Sequence, residues 1–527
     1  MKRPSFLLAA AAVVLVACSA TETTSTPSAA PETAAPETAA ASTTSLIPQT
    51  TVAVSTTTTL AELPTRAGVT TLKLKYGPFD IQPGQNNIDV VRSVPQPEMN
   101  GWIVGIRPDL KYDDGTTPRV DVVHLHHGVW LNVVGKDLTS ALPERFFAAG
   151  EEKTSMALPS PYGYRYQTSD RWILNYMLHN LTPENKKVWI TYEIDIIPDT
   201  ATEAAGMIPA HPAWMDVQNG ELYPVFDALR GAGDGATYTY PDQATDPYKG
   251  AAPKNEWTST MDGVIVATAG HLHPGGLQTD LWVARGDEKA HLFTSEANYY
   301  EPAGAVSWDV SMTVTMPDYR AVIKKGDVLS TTATYDSARA SWYESMGIMV
   351  TWIGELGETG GPALADPFTT PVDKPGMLTH GHLPENDFHG GDADPTYLDL
   401  TALPSEPAKP TVDIAGWVYG QGDMTIAKAV PTVKPGGTFT FDSKDANIGN
   451  GQWHTITACA APCNQSTGIA YPLADGPVIF DSGQLGNGGP PTADRTTWTI
   501  PSDLAVGTYT YFCRVHPLMR GAFRVEN

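Results

Sequence analysis

The sequence has little cysteine and little positive charge, and each shortage excludes a class of protein. Four cysteines in 527 residues exclude a disulfide-dense scaffold. Lys and Arg number 34 against 58 Asp and Glu, so the formal net charge is −24, which argues against a nucleic-acid partner. Charged residues make up only 17% of the chain, too few for a charge-rich disordered protein. The length predicts roughly three or four domains at about 150 residues each, so the few cysteines and 13 histidines become the informative residues.

The N-terminus has a basic start followed by an apolar run of signal-peptide length. This run, from Phe6 to Val16, is too short to span a bilayer as a mature helix. It ends in Leu-Val-Ala-Cys, which resembles a bacterial lipobox in which the thiol of Cys18 receives the lipid. The alternative is an ordinary signal peptide with a chance cysteine. The resemblance implies that residues 1–18 are the signal and lipidated cysteine, and that the protein is extracytoplasmic and lipid-anchored to the bacterial cell membrane.

The rest of the sequence predicts a disordered spacer followed by an all-β region. Residues 19–65 are nearly all Thr, Ala, Ser, Pro and Glu, which have almost nothing to bury. Apolar and polar residues then alternate as in half-buried strands, for example at Val188–Ile196 and Val306–Met316, and no long helical period follows. We expect two jelly-roll β-sandwich domains and a third β-sandwich domain after a Pro-rich stretch. The predicted bounds are 66–205 and 206–365 for the jelly rolls, 366–410 for a His-containing loop and linker, and 411–527 for the C-terminal domain.

The C-terminal domain ends in a Cys-x2-His-x2-Met loop at Cys513, His516 and Met519, and His454 lies on a distant apolar segment upstream. A blue copper site needs a thiolate, two imidazoles and a weak thioether, and these residues supply all four. The pattern resembles the cupredoxin family, and the loop spacing looks like that of amicyanin. The resemblance implies a Greek-key β-sandwich with one type 1 copper held by these four side chains. The alternative is a buried cysteine beside a surface histidine.

Two more cysteines, Cys459 and Cys463, follow the first proposed copper ligand with three residues between them. In an oxidising compartment we expect a local disulfide. A second thiolate metal site is the alternative, but further ligands for it are lacking.

The middle of the chain contains histidines on apolar, strand-like segments. An imidazole without partners is a poor core residue, because each ring nitrogen needs a hydrogen bond. A His-x-His pair on a strand places both rings on one face, suited to binding one metal. A satisfied core histidine is the alternative for any one of these fragments alone. In chain order the fragments contain His124, His126 and His127, then His179, then His271 and His273, and finally Met346.

This order resembles that of the two-copper monooxygenases, peptidylglycine α-hydroxylating monooxygenase and dopamine β-monooxygenase. The similarity includes Lys325–Leu329, which looks like the strand before the methionine in those enzymes, and it covers roughly residues 70–360. The same strand with adjacent histidines also resembles stress-upregulated nodulin-like proteins, for which the family implies little chemistry. A soft thioether stabilises Cu(I), whereas an all-imidazole site suits a copper that shuttles an electron. The resemblance therefore implies two further coppers: an electron-transfer site of His126, His127 and His179, with His124 as a supporting residue, and a catalytic, dioxygen-binding site of His271, His273 and Met346.

The chain also departs from that family. No cysteine lies between residues 19 and 458, whereas the vertebrate enzymes contain several disulfides. The arginine that binds the substrate carboxylate in the amidating enzyme is replaced by Ala269, so peptide amidation is not expected and the substrate is unassigned. A separate cluster of His380, His382 and His389 could form a metal site or cap a cleft between the two copper-binding domains, and a solvated loop is the alternative.

Together these features predict a copper-dependent oxidoreductase. We expect an external electron donor, either a small molecule or a redox protein, to reduce the blue copper domain, and the core to hydroxylate an unknown small molecule with dioxygen. A non-catalytic copper-binding electron-transfer lipoprotein is the alternative. A carbohydrate-binding surface protein is a weaker rival, because sugar binding does not explain histidines in this order.

Overall fold

The fold is that of a computed structural model, and the residues it describes from 66 onward belong to one compact unit. These residues are 66–83, 85–120, 122–182, 184–220, 224–300, 309–338, 341–357, 362–383, 403–445, 453–459, 478–486, 495–513, 516 and 519–527.

The first part is a β-sandwich whose core lies between two sheets. One face is formed by β1, β9, β3 and β7, and the other by β2, β8, β4 and β5. Side chains alternate between buried and partly exposed along the strand predicted at Val188–Ile196, which the structure confirms within β9. The strands are β1 (Thr70–Ile81), β2 (Asn86–Val91), β3 (Gly101–Lys111), β4 (Val123–Lys136), β5 (Pro143–Gly150), β6 (Met156–Ala157), β7 (Tyr162–Tyr166), β8 (Trp172–Asn180) and β9 (Lys186–Pro198).

The second part extends the sheet of β1, β9, β3 and β7 through further strands and has a hydrophobic core of its own. A short parallel pairing of Ile208 with Tyr162 joins the two parts. A 3-10 turn, Thr202–Gly206, precedes the junction. The strand predicted at 306–316 is observed over Val310–Val314. The strands are β10 (Ile208–Asp216), β11 (Phe226–Ala228), β12 (Thr237–Tyr240), β13 (Glu256–Thr258), β14 (Gly263–Leu272), β15 (Gly276–Arg285), β16 (Glu288–Tyr299), β17 (Val310–Val314), β18 (Ala321–Ile323), β19 (Val328–Asp336), β20 (Trp342–Ser345), β21 (Gly347–Gly354) and β22 (Met377–Leu378).

The C-terminal part has a core of its own, in which six of the fifteen buried residues are aromatic. Ser405–Pro407, expected in the linker, pairs with Val430–Val433 in the largest sheet of this part. The strands are β23 (Ser405–Pro407), β24 (Thr411–Ile414), β25 (Val430–Val433), β26 (Thr440–Ser443), β27 (Trp453–His454), β28 (Thr457–Cys459), β29 (Val478–Asp481), β30 (Leu485–Gly486), β31 (Thr497–Thr499), β32 (Gly507–Phe512) and β33 (Arg520–Val525).

The sequence-based prediction of an all-β, β-sandwich protein is therefore confirmed. Apart from the one 3-10 turn, the regular structure in the described ranges consists of strands. No helix in this described part is long and apolar enough to cross a membrane.

The two large sandwiches also meet face to face, and this contact positions the histidines. Val129 on β4 and Ala148 on β5 pack in one apolar cluster with Ile348 and Val350 of β21. The strand that carries His126 and His127 therefore lies against the sheet that carries His271.

A pH-dependent contact fastens the segment before β22 to the second sandwich. His291 on β16 lies 2.9 Å from Asp373 through Nδ1 and 3.2 Å from Asp280 through Nε2. Only the protonated ring can donate to both carboxylates at once. Burial lowers the pKa of His291, but hydrogen bonds to the two carboxylates outweigh it and the pKa ends above its ordinary value.

Because the folded-state pKa of His291 is raised, its contribution to stability is full below the unfolded-state pKa of about 6.5 and is lost as pH rises through the folded value. We therefore expect His291→Gln to lower the Tm more at pH 6 than at pH 9, measured by thermal unfolding at both pH values. An equal Tm loss at both pH values would contradict a charged contact.

Candidate metal centres

The C-terminal candidate site brings a thiol and two imidazoles together inside the protein. β28 pairs with the end of β32 through Thr457 and Phe512, which places His454 beside Cys513. The Sγ atom of Cys513 lies 3.9 Å from Nδ1 of His454 and 3.6 Å from Nδ1 of His516. The two Nδ1 atoms are 3.1 Å apart, and all three side chains are buried. Atoms that share one metal ion through bonds of about 2.0–2.3 Å have separations of this size.

Neighbouring groups fix the orientation of these side chains. The Nε2 atom of His454 lies 2.9 Å from Oδ2 of Asp445, an arrangement in which Nε2–H donates and Nδ1 faces the thiol. The backbone N–H of Thr455 donates to Sγ of Cys513 at 3.4 Å. Burial raises the pKa of the Cys513 thiol, but His454 and this N–H outweigh it and the pKa falls below its usual value. For His454, burial lowers the pKa, but Asp445 and Cys513 outweigh burial and raise the pKa to about 9.

The loop that carries the predicted thioether is closed by backbone hydrogen bonds. The N–H of Cys513 donates to the carbonyl of Met519, and the N–H of Met519 donates to the carbonyl of His516. Met519 is buried in the same core cluster as Cys513. The ring of Trp417 stands nearly perpendicular to both imidazoles, 4.4 Å from His516 and 5.3 Å from His454 between centroids. All four predicted ligands of this site therefore lie together in one buried region.

A β-bulge determines which face of β4 carries the histidines of the second candidate site. His124 pairs with His179 across the sheet, and the register between β4 and β8 shifts between Leu125 and His127. His126 is therefore an extra residue, and adjacent residues no longer alternate strictly between the two faces. The ring of His126 lies 5.9–6.2 Å from those of His124, His127 and His179 between centroids.

The group that could hold a metal differs from the predicted set in one residue. His124, His126 and His179 are buried, and their ligand atoms lie within 4.8 Å of one another. His127, predicted in this site, instead lies 3.3 Å from Oδ1 of Asn175 through Nε2. Burial, together with the charge on His271, lowers the pKa of His127 to about 4. The structure thus places His124, expected only as a supporting residue, among the potential ligands.

The predicted His-x-His pair is anchored through one nitrogen of each ring. Nδ1 of His271 lies 2.9 Å from Oε2 of Glu152, and Nδ1 of His273 lies 2.6 Å from the carbonyl oxygen of Glu344. Both Nε2 atoms are buried and make no hydrogen bond to any described residue. The ring of His273 is 4.4 Å from that of His126 between centroids, so the two groups of histidines are contiguous.

Met346, the predicted third ligand of that pair, lies directly before β21, the strand that pairs with β14. Leu272 is opposite Gly347, so in this antiparallel pair Met346 comes next to His273. Its backbone carbonyl accepts a hydrogen bond from the hydroxyl of Tyr335, which in turn accepts one from the N–H of His273. The Met346 side chain packs in an apolar cluster with residues that include Trp214 and Ile348.

Two buried carboxylates beside the histidines were not anticipated. Glu151 and Glu152 are each 1% exposed at the end of β5. Oε2 of Glu151 lies 3.5 Å from Nδ1 of His126. Burial raises the pKa of Glu151, whereas the charge of His271 outweighs burial at Glu152 and holds its pKa down. The sequence signal was two adjacent acids following the apolar Phe-Ala-Ala-Gly segment, a pattern equally typical of an exposed turn.

The C-terminal site and the central histidines are in contact. The rings of His179 and His516 are 6.1 Å apart between centroids and nearly perpendicular. The side chain of Gln484 donates to Oε1 of Glu344, the residue whose carbonyl anchors His273. One continuous series of imidazoles therefore extends from Cys513 to His271.

The remaining sequence predictions have mixed outcomes. His382 lies 2.6 Å from Asp309, and Nε2 of His380 lies 2.9 Å from the carbonyl of Val310, so both pack against the second sandwich. In the described ranges neither histidine belongs to a three-residue metal group. Thr379, just before them, donates to the carbonyl of Glu152. Cys18, Cys463, His389 and the side chain of Cys459 lie outside the described residues, so the lipid, disulfide and His389 predictions stay predictions.

No family model and no curated protein matches the chain. Among solved structures, a Cu(I) form of an amicyanin mutant is 21% identical over 25% of this chain and 91% of its own, with a TM-score of 0.15. A copper-containing nitrite reductase from Thermus scotoductus is 14% identical over 50% of this chain and 55% of its own, with a TM-score of 0.15. A structure of infectious bursal disease virus is 9% identical over 56% and 74%, with a TM-score of 0.17. Likenesses this weak carry no argument about the chain.

Matched substitutions can test whether His124, rather than His127, is a metal ligand together with His126 and His179. We expect His124→Ala to weaken copper(II) binding at the central site by more than about 100-fold, beyond the roughly 10–100-fold cost of losing a group that only orients a ligand. We expect His127→Ala to weaken it less than about tenfold. Competition with a chelator measures both affinities, and thermal unfolding checks that each variant is folded. A larger loss in His127→Ala than in His124→Ala would restore the ligand set predicted from the sequence.

Proposed function

We propose that the protein is a copper-binding redox protein whose C-terminal site exchanges electrons with the central histidine sites. The observation that carries this proposal is the buried group of Cys513, His454 and His516, with Met519 in the same cluster. A thiolate, two imidazoles and a nearby thioether favour copper over zinc or iron. A copper ion held there would take up and release one electron at a time.

The chain supplies a rigid, dry setting for this exchange. Asp445, the Thr455 N–H and the Trp417 ring hold the thiol and imidazoles in place. Fixed ligands change little between two oxidation states, which keeps the reorganisation on electron transfer small. The contact between the rings of His516 and His179 would then connect this site directly to the central histidines.

For the central sites we propose a monooxygenase-like oxidoreductase that uses dioxygen and an unassigned small-molecule substrate. His124, His126 and His179 would hold one copper, and His271 and His273, with Met346 just before the paired strand β21, would hold another. The anchored Nδ1 atoms and the buried Nε2 atoms of the His-x-His pair support metal binding, since metal-ligating histidines are commonly held in this way. We further propose an external electron donor and an extracytoplasmic, lipid-anchored location.

A second function, copper-dependent electron transfer without catalysis, is favoured by the surroundings of Met346. Its side chain lies in an apolar cluster, and Ala269 occupies the position of the substrate-binding arginine in the resembling family. In that case the central histidines would store or pass electrons only.

We expect the copper-loaded protein to show strong visible absorption that Cys513→Ser abolishes, because the absorption requires a thiolate–copper bond. Cys459→Ser is the matched control and should retain the absorption. Visible spectroscopy together with copper analysis and EPR measures both variants. A copper-loaded native protein without visible absorption would overturn the assignment of the C-terminal site.

The catalytic role can be separated from simple electron transfer by removing one thioether. We expect Met346→Leu to lower dioxygen uptake with an artificial electron donor by at least tenfold, because leucine fills the same volume without a sulfur ligand. Met215→Leu is the control, since Met215 is equally buried but lies in the core of the second sandwich. Uptake that persists unchanged in Met346→Leu would remove the catalytic assignment and leave the electron-transfer alternative.

A further inference from the structure

An apolar pocket lies between the two large sandwiches, close to His271. Its volume is about 70 Å³, and none of the described residues that line it is charged. Phe147 and Met156 line it from the first sandwich, and Val266, Val350 and Trp352 line it from the second. A pocket formed at such a junction, with apolar walls, is typical of a small-molecule site.

The threonine hydroxyl groups in the pocket wall already have hydrogen-bond partners. Oγ1 of Thr154 donates to Oε1 of Glu152 at 3.0 Å. Oγ1 of Thr268 is bonded to Oγ1 of Thr351 at 3.0 Å. The wall therefore offers mainly hydrocarbon to an occupant, and a charged group placed there would lose its hydration without gaining an ionic partner.

The pocket ends one step along the strands from His271. On paired strands, Ala269 and Val350 line the pocket, and the next residues on the same face are His271 and Ile348. Two residues along a strand span about 6.6 Å.

The opposite wall gives the same placement. On β5, Ala148 lines the pocket, and Gly150 follows on the same face, opposite His127. A Cβ atom added at Gly150 would lie 2.8 Å from Cε1 of His271. Walls from both sandwiches therefore lead from the pocket directly to the His271 ring.

We propose that this pocket binds an uncharged, apolar group of the substrate and holds it beside His271. A cavity of about 150 Å³ accommodates one benzene molecule, so this pocket of about 70 Å³ suits an apolar group of about three carbon atoms. The larger polar part of the substrate extends outside the pocket. The assignment as a substrate site rests on the proposed oxidoreductase function, whereas the binding preference rests on the pocket alone.

The test compares two probes of the same shape and different charge. Saturation-transfer NMR with the full-length protein measures binding of propan-1-ol and of propanoate, which are short enough to bring the polar group to the pocket wall, at pH 7 with and without copper. We expect the alcohol to bind at least tenfold more tightly than the carboxylate. Equal affinities, or tighter binding of the carboxylate, would overturn the proposal.

Location is tested by filling the pocket. Ala269→Leu should weaken alcohol binding at least tenfold, and Ala251→Leu, at an exposed turn, should leave it within twofold. If Ala269→Leu does not fold, as judged by its thermal transition, Ala148→Leu fills the pocket from the opposite wall. Alcohol binding that survives in the folded pocket variant would overturn the location. Should the alcohol bind as expected while the copper-loaded protein shows no visible absorption, the pocket stands and the proposed redox function fails.

Discussion

Burying an imidazole requires a partner for each of its two ring nitrogens, and the centre of this protein is organised around that requirement. His271 is anchored by Glu152, His273 by the Glu344 carbonyl, and His124 by the Val120 carbonyl at 2.5 Å. His454 is anchored in the same way by Asp445. A hydrogen bond on one side of the ring fixes the tautomer and the direction of the opposite nitrogen. Anchoring therefore serves the fold, because it offsets desolvation, and also the site, because it orients the second nitrogen.

The two buried glutamates show how costly this arrangement would be without compensation. A carboxylate taken out of water loses several kcal/mol of hydration unless a charge or hydrogen bonds replace it. Glu152 has His271 as a partner at 2.9 Å, whereas the nearest described base to Glu151 is His126 at 3.5 Å. Burial accordingly raises the pKa of Glu151. A cation bound among the neighbouring imidazoles would lessen this cost and stabilise the folded chain, since any species that binds only the folded state does so.

The sequence predicted the parts of the site that local spacing determines. Cys513, His516 and Met519 lie within one loop, and alternation along β9 was visible in residues alone. His124 could not be distinguished from His127, because the bulge at His126 breaks the alternation on which the prediction depended. Glu151, Asp445 and Trp417 reach their positions through tertiary packing, which leaves no local pattern. The contact between His179 and His516 likewise joins residues far apart in the chain.

The apolar pocket and the polar histidine cluster are formed by the same strands, and this explains their proximity. Along β14, Ala269 faces the pocket and His271 faces the cluster. On β21, Val350 lies opposite Ala269 and Ile348 lies opposite His271. Small side chains at Ala148 and Gly150 on β5 allow the opposing sheet to approach closely, and any Cβ at Gly150 would collide with His271. The packing of β5 against the second sandwich therefore forms the pocket at Ala148 and also places the His271 ring against Gly150, the residue opposite His127. A larger residue at Ala148 would fill the pocket, and one at Gly150 would displace the imidazole, so binding specificity and site geometry depend on neighbouring positions of one strand.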